Sequence, residues 1–379
     1  MSIVDEGSVL IVGAGASVDF WMPLGGDLIE QVRERIETDF PLSAKLRGRE
    51  LGFEFGELVN NTASASLTPE GFLLRPLKVA LATKHCHFEG QERREAISGD
   101  IKRLFQLSDR LNKQTAETID AFIAENPSLA DVTKMAVGAV MVQAAYTRKG
   151  HVALLRPLAA RRVNDDARNW IHLLINICRH GLPRERHISR KVQIINFNYD
   201  PFLEHVLREQ WNNTEAQLWE WDTVFKVEHP HGRFPDFPES VPDNDLAQLA
   251  LHCGEAISVV NEKDPPLAVQ RAREQVAQWI LEAGRIYAVG FAFARPNCEL
   301  LGLHRLRDFK APNERGQTTI VFANYNGDVG VKLATERYAA GVLGTHKRAV
   351  RVEEVPGTSA RPLTVSDFIK AGYLGDLPG

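Results

Sequence analysis

The chain has 379 residues, of which 44% are hydrophobic and 25% charged, as in an ordinary globular protein with a packed core. Its 45 lysines and arginines against 49 acidic residues give a net charge of −4, which offers no electrostatic case for nucleic acid as a partner. The acidic segment 1–7 lacks the pattern of a signal peptide, and no run is apolar enough to span a membrane. We therefore expect a cytoplasmic protein.

The cysteines are scattered along the chain, and none forms a CxxC pair. This spacing indicates neither a zinc ribbon nor a disulfide framework. We expect no metal, and a reducing cytoplasm is the simplest compartment. The four cysteines are Cys86, Cys178, Cys253 and Cys298.

The first predicted strand is Ser8–Val12, a short apolar run that stops at the loop GAGAS. Gly13 and Gly15 allow the backbone to turn sharply and approach a phosphate, which the following amides and the Ser17 hydroxyl can meet. Val18 replaces the third glycine of the dinucleotide fingerprint, so the ordinary Rossmann motif is not satisfied. A tight strand-to-helix turn without a ligand explains these residues about as well.

Residues 34–183 are predicted to be mainly helical, because apolar residues recur there at three-and-four spacing and strand signals are sparse. We interpret them as a helical module inserted into the sheet. Its helices have more apolar faces than a single layer packed on a sheet would bury. We therefore expect some of these faces to pack between subunits of a homo-oligomer. The predicted helices are Gln114–Ala124, Asp131–Ala145, His151–Leu158 and Ala167–Cys178.

Strand and helix signals alternate after residue 184, which predicts a parallel sheet with helices on both faces. The expected fold is therefore α/β, a doubly wound, Rossmann-like parallel sheet, with residues 1–33 and 184–379 forming the α/β domain around the large helical insertion. The later strands are predicted at Lys191–Ile195, Thr223–Val227, Ile257–Val260, Arg285–Val289, Thr318–Phe322 and Ala349–Val352, and helices at Phe202–Gln210, Ala268–Ala283 and Val365–Ala371.

Distinctive residues stand at the ends of five predicted strands, the edge at which such sheets bind ligands. Asn198 offers a donor and an acceptor without charge, and it could orient a water molecule or a ribose hydroxyl. Asp200 is explained as well by capping the next helix. His231, which Gly232 follows, is our candidate for proton transfer, with His229 as the alternative; either could also be an ordinary loop residue. The remaining strand-end residues are Gly290, Phe291 and Asn324.

Taken in order, these segments resemble the motif set of sirtuin-like proteins. The segments are VLIVGAGAS with Pro23, NFNYD, HPHG, AVGF with Pro296 and Asn297, and VFANY, within residues 8–24 and 191–326. They are similar to the family's GAGxS loop, its T-x-N-x-D strand end, its H-G, its strand–glycine turn and its last strand–Asn. Two departures stand out: the zinc cysteines of sirtuin deacylases are absent, and their GIPDFR-like segment appears as WMPLGGDL.

Within the helical module, TIDAF at 118–122 and TKMA at 133–136 are similar to segments of prokaryotic sirtuin-like proteins of antiphage defence. That resemblance implies an NADase, a hydrolase that splits NAD⁺ into nicotinamide and ADP-ribose without a metal, and it allows a HerA-type ATPase as partner. In this scheme Asn198 positions the water or the ribose, and His231 or His229 takes a proton. The residues expected to bind the nucleotide are Gly13, Ala14, Gly15, Ser17, Asp200, Gly290, Phe291 and Asn324.

Three other interpretations stay open. A non-catalytic subunit would bind NAD or ADP-ribose without turning it over. An NAD-dependent deacylase is disfavoured by the absent zinc cysteines, and a dehydrogenase by Val18 and by the missing ribose-binding acid after a second strand. Because a constitutive NAD⁺ hydrolase would be toxic, we expect its activity to be gated by assembly or by a partner.

Overall fold

The structure is a computed structural model that describes most, but not all, of the chain. The described residues are 7–16, 22–23, 25–41, 53–113, 118–148, 151–152, 170–181, 192–212, 220–238, 245–260, 262, 264–307, 318–324, 329–335, 350–356 and 363–373. Val18, like Ser17, lies outside them.

The chain divides into two compact units, each built from separate segments. We call them the α/β unit, with residues 1–20, 160–232 and 263–379, and the helical unit, with residues 21–159 and 233–262. The strands within the described residues are β1 Ser8–Val12, β2 Thr147–Arg148, β3 His151–Val152, β4 Val192–Asn196, β5 Phe225–Glu228, β6 Arg285–Val289, β7 Thr318–Asn324 and β8 Val350–Pro356.

Six of these strands form the sheet of the α/β unit, in the order β5-β4-β1-β6-β7-β8. Every neighbouring pair is parallel. From β1 the strands proceed outward through β4 to β5, and the chain then returns to β6 on the other side of β1. The order therefore reverses between β1 and β6, which is the point where ligands bind in doubly wound sheets.

Apolar side chains cover both faces of this sheet. Val9 and Ile11 of β1 belong to a buried cluster with Trp279 and Ile280 of the helix Leu267–Glu282. Leu10, which points to the opposite face, is also fully buried. Burial on both faces explains why β1 is an apolar run rather than an alternating one. The predicted fold, a Rossmann-like, doubly wound α/β fold, is confirmed.

Many of the helices in the two units have amphipathic sequences, whereas Ala130–Tyr146 is apolar and buried around most of its circumference. In the α/β unit they are Trp170–Gly181, Phe202–Asn212, Trp221–Val224, Leu267–Glu282, Arg295–Leu300, Val329–Thr335 and Val365–Lys370, with a 3₁₀ helix at Leu303–Arg307. In the helical unit they are Gly25–Asp39, Phe53–Ala63, Pro69–Leu74, Pro76–Lys84, Gly90–Lys113, Ile119–Glu125, Ala130–Tyr146 and Asp245–Ala256, with a 3₁₀ helix at Pro127–Leu129. Within the described residues, no helix combines the length and the apolar character that crossing a membrane requires.

Two local predictions were wrong, at Ile257–Val260 and at the start of His151–Leu158, and the strand predicted at Thr223–Val227 begins two residues later. Ile257–Val260 is not a strand but an irregular segment of the helical unit, where Ile257 and Val259 are buried after a helix; a short apolar run does not distinguish the two. The predicted strand Thr223–Val227 begins as the short helix Trp221–Val224, and β5 follows it. His151–Leu158 is not helical at its start, because β3 pairs with β2 antiparallel; residues 153–158 lie outside the described residues.

The unit boundaries also differ from the predicted 34–183 insertion, because two helices distant in sequence pack very closely. A Cβ on Gly138 of Ala130–Tyr146 would lie 2.2 Å from the Ala250 carbonyl oxygen of Asp245–Ala256. A Cβ on Gly254 would lie 2.8 Å from the Lys134 oxygen. This backbone contact ties residues 233–262 into the helical unit.

Candidate functional site

The glycine loop after β1 packs directly on the loop after β6. Gly13 N donates to Val289 O at 3.0 Å, and Gly15 N donates to Gly290 O at 3.0 Å. A Cβ on Gly13 would lie 2.4 Å from Gly290 O, and one on Gly290 would lie 2.2 Å from Ala16 N. Gly290 also has a φ of +61°, which favours glycine. The close approach of two backbones therefore explains these glycines without a ligand.

This packing limits how the loop could hold a phosphate. The amide of Ala16 donates to Gly13 O at 2.9 Å, so the amides of Gly13, Gly15 and Ala16 all bond within the fold. Among residues 13–16, the amide of Ala14 remains as the donor for a phosphate. The expected contribution of the Ser17 hydroxyl falls outside the described residues.

Asn198 follows β4 and reaches across to the end of β1. Its side-chain Nδ2 donates to Gly13 O at 3.3 Å. Because a carbonyl oxygen only accepts, this contact fixes which end of the amide faces Gly13 and directs Oδ1 elsewhere. Among the described residues, no hydrogen bond reaches Asn198 Oδ1, although the residue is only 7% exposed. Asn198 therefore presents an oriented acceptor at the edge of the sheet where doubly wound folds bind ligands.

The two histidines after β5 have different surroundings. His229 is buried, with Nδ1 at 3.0 Å from the Asn198 carbonyl oxygen and Nε2 at 2.8 Å from Glu204 Oε1. The carbonyl can only accept, so Nδ1 carries a hydrogen. Both nitrogens of His229 are thus committed to the fold, which makes it the weaker candidate for contact with a substrate.

His231 is buried among aromatic rings at the same edge. Its ring lies edge-on to Phe197, with centroids 5.2 Å apart, and to Tyr199, with centroids 6.3 Å apart. Gly232 adopts a φ of +86°, and Arg273 Nε donates to Pro230 O at 2.9 Å. These contacts hold the segment between the two histidines in a defined conformation.

An aromatic row continues from Phe197 to the loop after β6. Phe197 and Phe291 have centroids 4.9 Å apart, and Phe291 and Phe293 have centroids 5.0 Å apart. Phe293 has a φ of 55°, a left-handed conformation that is strained for a residue other than glycine. The predicted site residue Phe291 therefore belongs to the same aromatic cluster as His231, through Phe197.

Two of the predicted site residues, Asp200 and Asn324, make side-chain hydrogen bonds within the protein. Asp200 Oδ1 accepts the amide of Phe202 at 3.2 Å, as expected for a residue that caps the following helix. Asn324, at the end of β7, donates through Nδ2 to Glu354 Oε1 at 2.9 Å, and Lys332 pairs with the same carboxylate at 3.1 Å. β7 is separated from β1 by β6, so Asn324 lies in a different neighbourhood from Asn198.

Sequence reasoning missed Glu204, a 5%-exposed acid in the first turn of Phe202–Asn212. A signal was present, because Glu204, Leu207 and Trp211 share one helical face by their spacing, and Leu207 and Trp211 are buried. An acid on an apolar face predicts a buried partner. That partner, His229, follows the next strand and could not be identified from local sequence.

The described residues contain no group of three or more His, Cys, Asp or Glu side chains placed to hold a metal ion. All four cysteines are free thiols. Burial raises the pKa of the Cys298 thiol to about 12, with a further contribution from the Glu299 charge, so this thiol stays protonated at neutral pH. Comparison of the sequence with models of known protein families finds no match, and comparison with curated proteins also finds none.

Proposed function

We propose that the chain is an NAD⁺ glycohydrolase of the sirtuin-like type, which cleaves the bond between nicotinamide and ribose. The observation that carries the proposal is Asn198, a buried amide held against Gly13 with its Oδ1 directed away from that contact. It stands at the carboxyl edge of a parallel sheet of Rossmann order, where dinucleotides bind. The sirtuin-like motif order in the sequence agrees with this location.

The proposed reaction needs a positioned water molecule and a base that takes up its proton. The C1′–N bond breaks, and its electron pair leaves with nicotinamide, which is then neutral. The developing positive charge on the ribose is captured by the oxygen of water, and the new C1′–O bond gives ADP-ribose. The proton that the water releases must be taken up by a base. Asn198 Oδ1 would accept a hydrogen bond from that water or from a ribose hydroxyl.

We assign the proton-accepting role to His231 rather than His229. Both nitrogens of His229 are engaged by Asn198 O and Glu204, so that ring would have to give up a hydrogen bond to reach a substrate. His231 belongs to the aromatic cluster of Phe197 and Tyr199, a setting that suits an aromatic leaving group such as nicotinamide.

The pyrophosphate would be met by the Ala14 amide and by Ser17, because the neighbouring amides are engaged. Gly13, Gly15 and Gly290 would then shape the loop rather than donate to the ligand. NAD⁺ is the substrate in this proposal, and the chemistry requires no metal.

Regulation is part of the proposal, because unregulated hydrolysis would deplete the NAD⁺ of the cell. We propose that the protein acts in the cytoplasm as a gated effector of antiphage defence. Its trigger would be assembly with further copies of the chain or binding to a partner such as a HerA-type ATPase. The support for this step is the resemblance of residues 118–122 and 133–136 to that group of proteins.

The test measures nicotinamide released from NAD⁺ by the purified protein, alone and with candidate activators. Asn198→Ala should remove most of the activity, and His231→Ala should slow it by roughly 10²–10⁴-fold, the usual range for general acid–base groups. His205→Ala is a matched control, because His205 is a half-exposed histidine on Phe202–Asn212. Full activity in both site variants would contradict the proposal. Binding of NAD⁺ by calorimetry without any release would instead support a binding subunit.

A further inference from the structure

Glu204 connects the two side chains that hold the Asn198 peptide. Its Oε1 lies 2.8 Å from His229 Nε2, and its Oε2 accepts from Asn196 Nδ2 at 3.5 Å. His229 Nδ1 in turn donates to Asn198 O at 3.0 Å, and Asn196 Oδ1 accepts the amide of Asn198 at 3.0 Å. These four contacts close a hydrogen-bonded ring through Asn196, Asn198, His229 and Glu204.

All members of the ring are removed from solvent. Asn196 is 1% exposed, Glu204 5%, Asn198 7% and His229 8%. Buried polar groups of this kind are costly unless their hydrogen bonds are made, so a closed ring strongly restricts each member. Both the N–H and the C=O of Asn198 are held by side chains that contact the same carboxylate.

The protons of the ring restrict how the His229 side chain can move. His229 uses Nδ1–H toward the Asn198 carbonyl, so Nε2 must either accept from a protonated Glu204 or donate to its carboxylate. In both cases one proton lies between His229 Nε2 and Glu204 Oε1. The imidazole is therefore fixed at both ends, and it cannot rotate without breaking a buried hydrogen bond.

We propose that Glu204 is a positioning residue for Asn198, acting through Asn196 and His229. By fixing the peptide of Asn198, the ring sets the direction of its side chain, whose Nδ2 meets Gly13 O while Oδ1 faces the reacting water or ribose. This inference rests on the proposed function for its effect on turnover. The ring itself is a property of the folded chain and can be tested separately.

Two replacements of Glu204 distinguish the effect of the hydrogen-bonded ring from the effect of the carboxylate charge. Glu204→Gln keeps the ring, because its carbonyl accepts from Asn196 and its amide donates to Nε2 of a neutral His229. Glu204→Met keeps the volume but removes both contacts. We expect the Met variant to lose about 10²-fold in kcat with little change in KM, the effect of a misplaced reacting group, and the Gln variant to stay within a few-fold of wild type.

A matched control is Glu209→Met, which changes a half-exposed acid on the same helix and should leave turnover unchanged. Asn196→Ala opens the same ring at another member and replaces Glu204→Met if that variant does not fold. Wild-type kcat in a folded ring-opening variant would overturn the inference. A Gln variant as damaged as the Met variant would also overturn it, because the charge rather than the ring would then matter.

A second measurement keeps the inference apart from the proposed function. Hydrogen exchange at the Asn198 amide, followed by NMR on protein with isotope-labelled asparagine, should be faster in Glu204→Met than in wild type and in Glu204→Gln. If wild type releases no nicotinamide, the proposed function fails and the ring is judged by this exchange alone. Equal exchange in all three proteins would overturn the ring.

Discussion

Replacing Gly13 by alanine tests whether the glycine loop is required by the fold or only by a ligand. The added Cβ would lie 2.4 Å from Gly290 O and 2.7 Å from Phe291 Cα, distances that real Cβ atoms essentially never show. Both atoms belong to the backbone, so no side-chain rotation can relieve the contact. The loops after β1 and β6 would have to separate.

The loss in free energy of unfolding follows from the contacts that are broken when the two loops separate. Overpacking a buried site costs typically about 1–3 kcal/mol. Moving the loops apart also weakens the bonds from Gly13 N to Val289 O and from Gly15 N to Gly290 O, each worth about 1 kcal/mol. We expect Gly13→Ala to lower the free energy of unfolding by about 2–4 kcal/mol in the absence of any nucleotide.

The assay is urea unfolding of the wild type and two variants without NAD⁺. Gly284→Ala is the control within the α/β unit, because its nearest atom, Gly7 O, would be 3.9 Å away. That change should be neutral or stabilising by up to about 1 kcal/mol, because alanine restricts the unfolded chain. If Gly13→Ala unfolds at the same urea concentration as wild type, the backbone contact does not require glycine and the structural explanation is wrong.

Two further predictions concern the helical unit. Gly138→Ala should destabilise the protein by about 1–3 kcal/mol, because the added Cβ would lie 2.2 Å from the Ala250 carbonyl oxygen. Gly99→Ala is the control; it has open space around it and should stabilise the protein by about 0.5–1 kcal/mol. Equal unfolding curves for the two variants would contradict this prediction. Burial raises the pKa of Asp39 from 3.8 to about 6, so its contribution to stability is present below pH 3.8 and is lost as the pH rises through 6. The wild type should therefore lose about 3 kcal/mol relative to Asp39→Asn between about pH 3 and pH 7, and a constant difference in urea unfolding would refute this.

The sheet could be predicted from sequence because its central strands are short segments rich in apolar residues. β1 and β6 occur at the predicted residues, Ser8–Val12 and Arg285–Val289, since burial on both faces leaves a run of apolar residues in the local sequence. Ile257–Val260 shows the limit of that signal, because the same kind of run is buried in the helical unit without pairing.

The sequence predicts that strand-end residues meet at one edge of the sheet, but it does not predict the hydrogen bonds that they make. Asn198 and the glycine loop do meet at one edge of the sheet, as expected for the ends of parallel strands. The role of His229 depends on Glu204, which is 25 residues away in the chain, and the amides of the glycine loop are engaged by β6, far later in the sequence. Such contacts depend on tertiary structure, and no local spacing reveals them.

The position of β1 at the centre of the sheet has a consequence for synthesis on the ribosome. Val9 pairs with Gln193, and Ser8 pairs with Arg285, so β1 must wait for partners that are synthesised about 180 and 280 residues later. At roughly 5–20 residues per second, the nascent chain carries an unpaired, largely apolar strand for roughly 10–40 s before β4 is available. During that interval β1 is a natural target for chaperones that bind apolar segments, and chains terminated before β6 are the ones most exposed to aggregation.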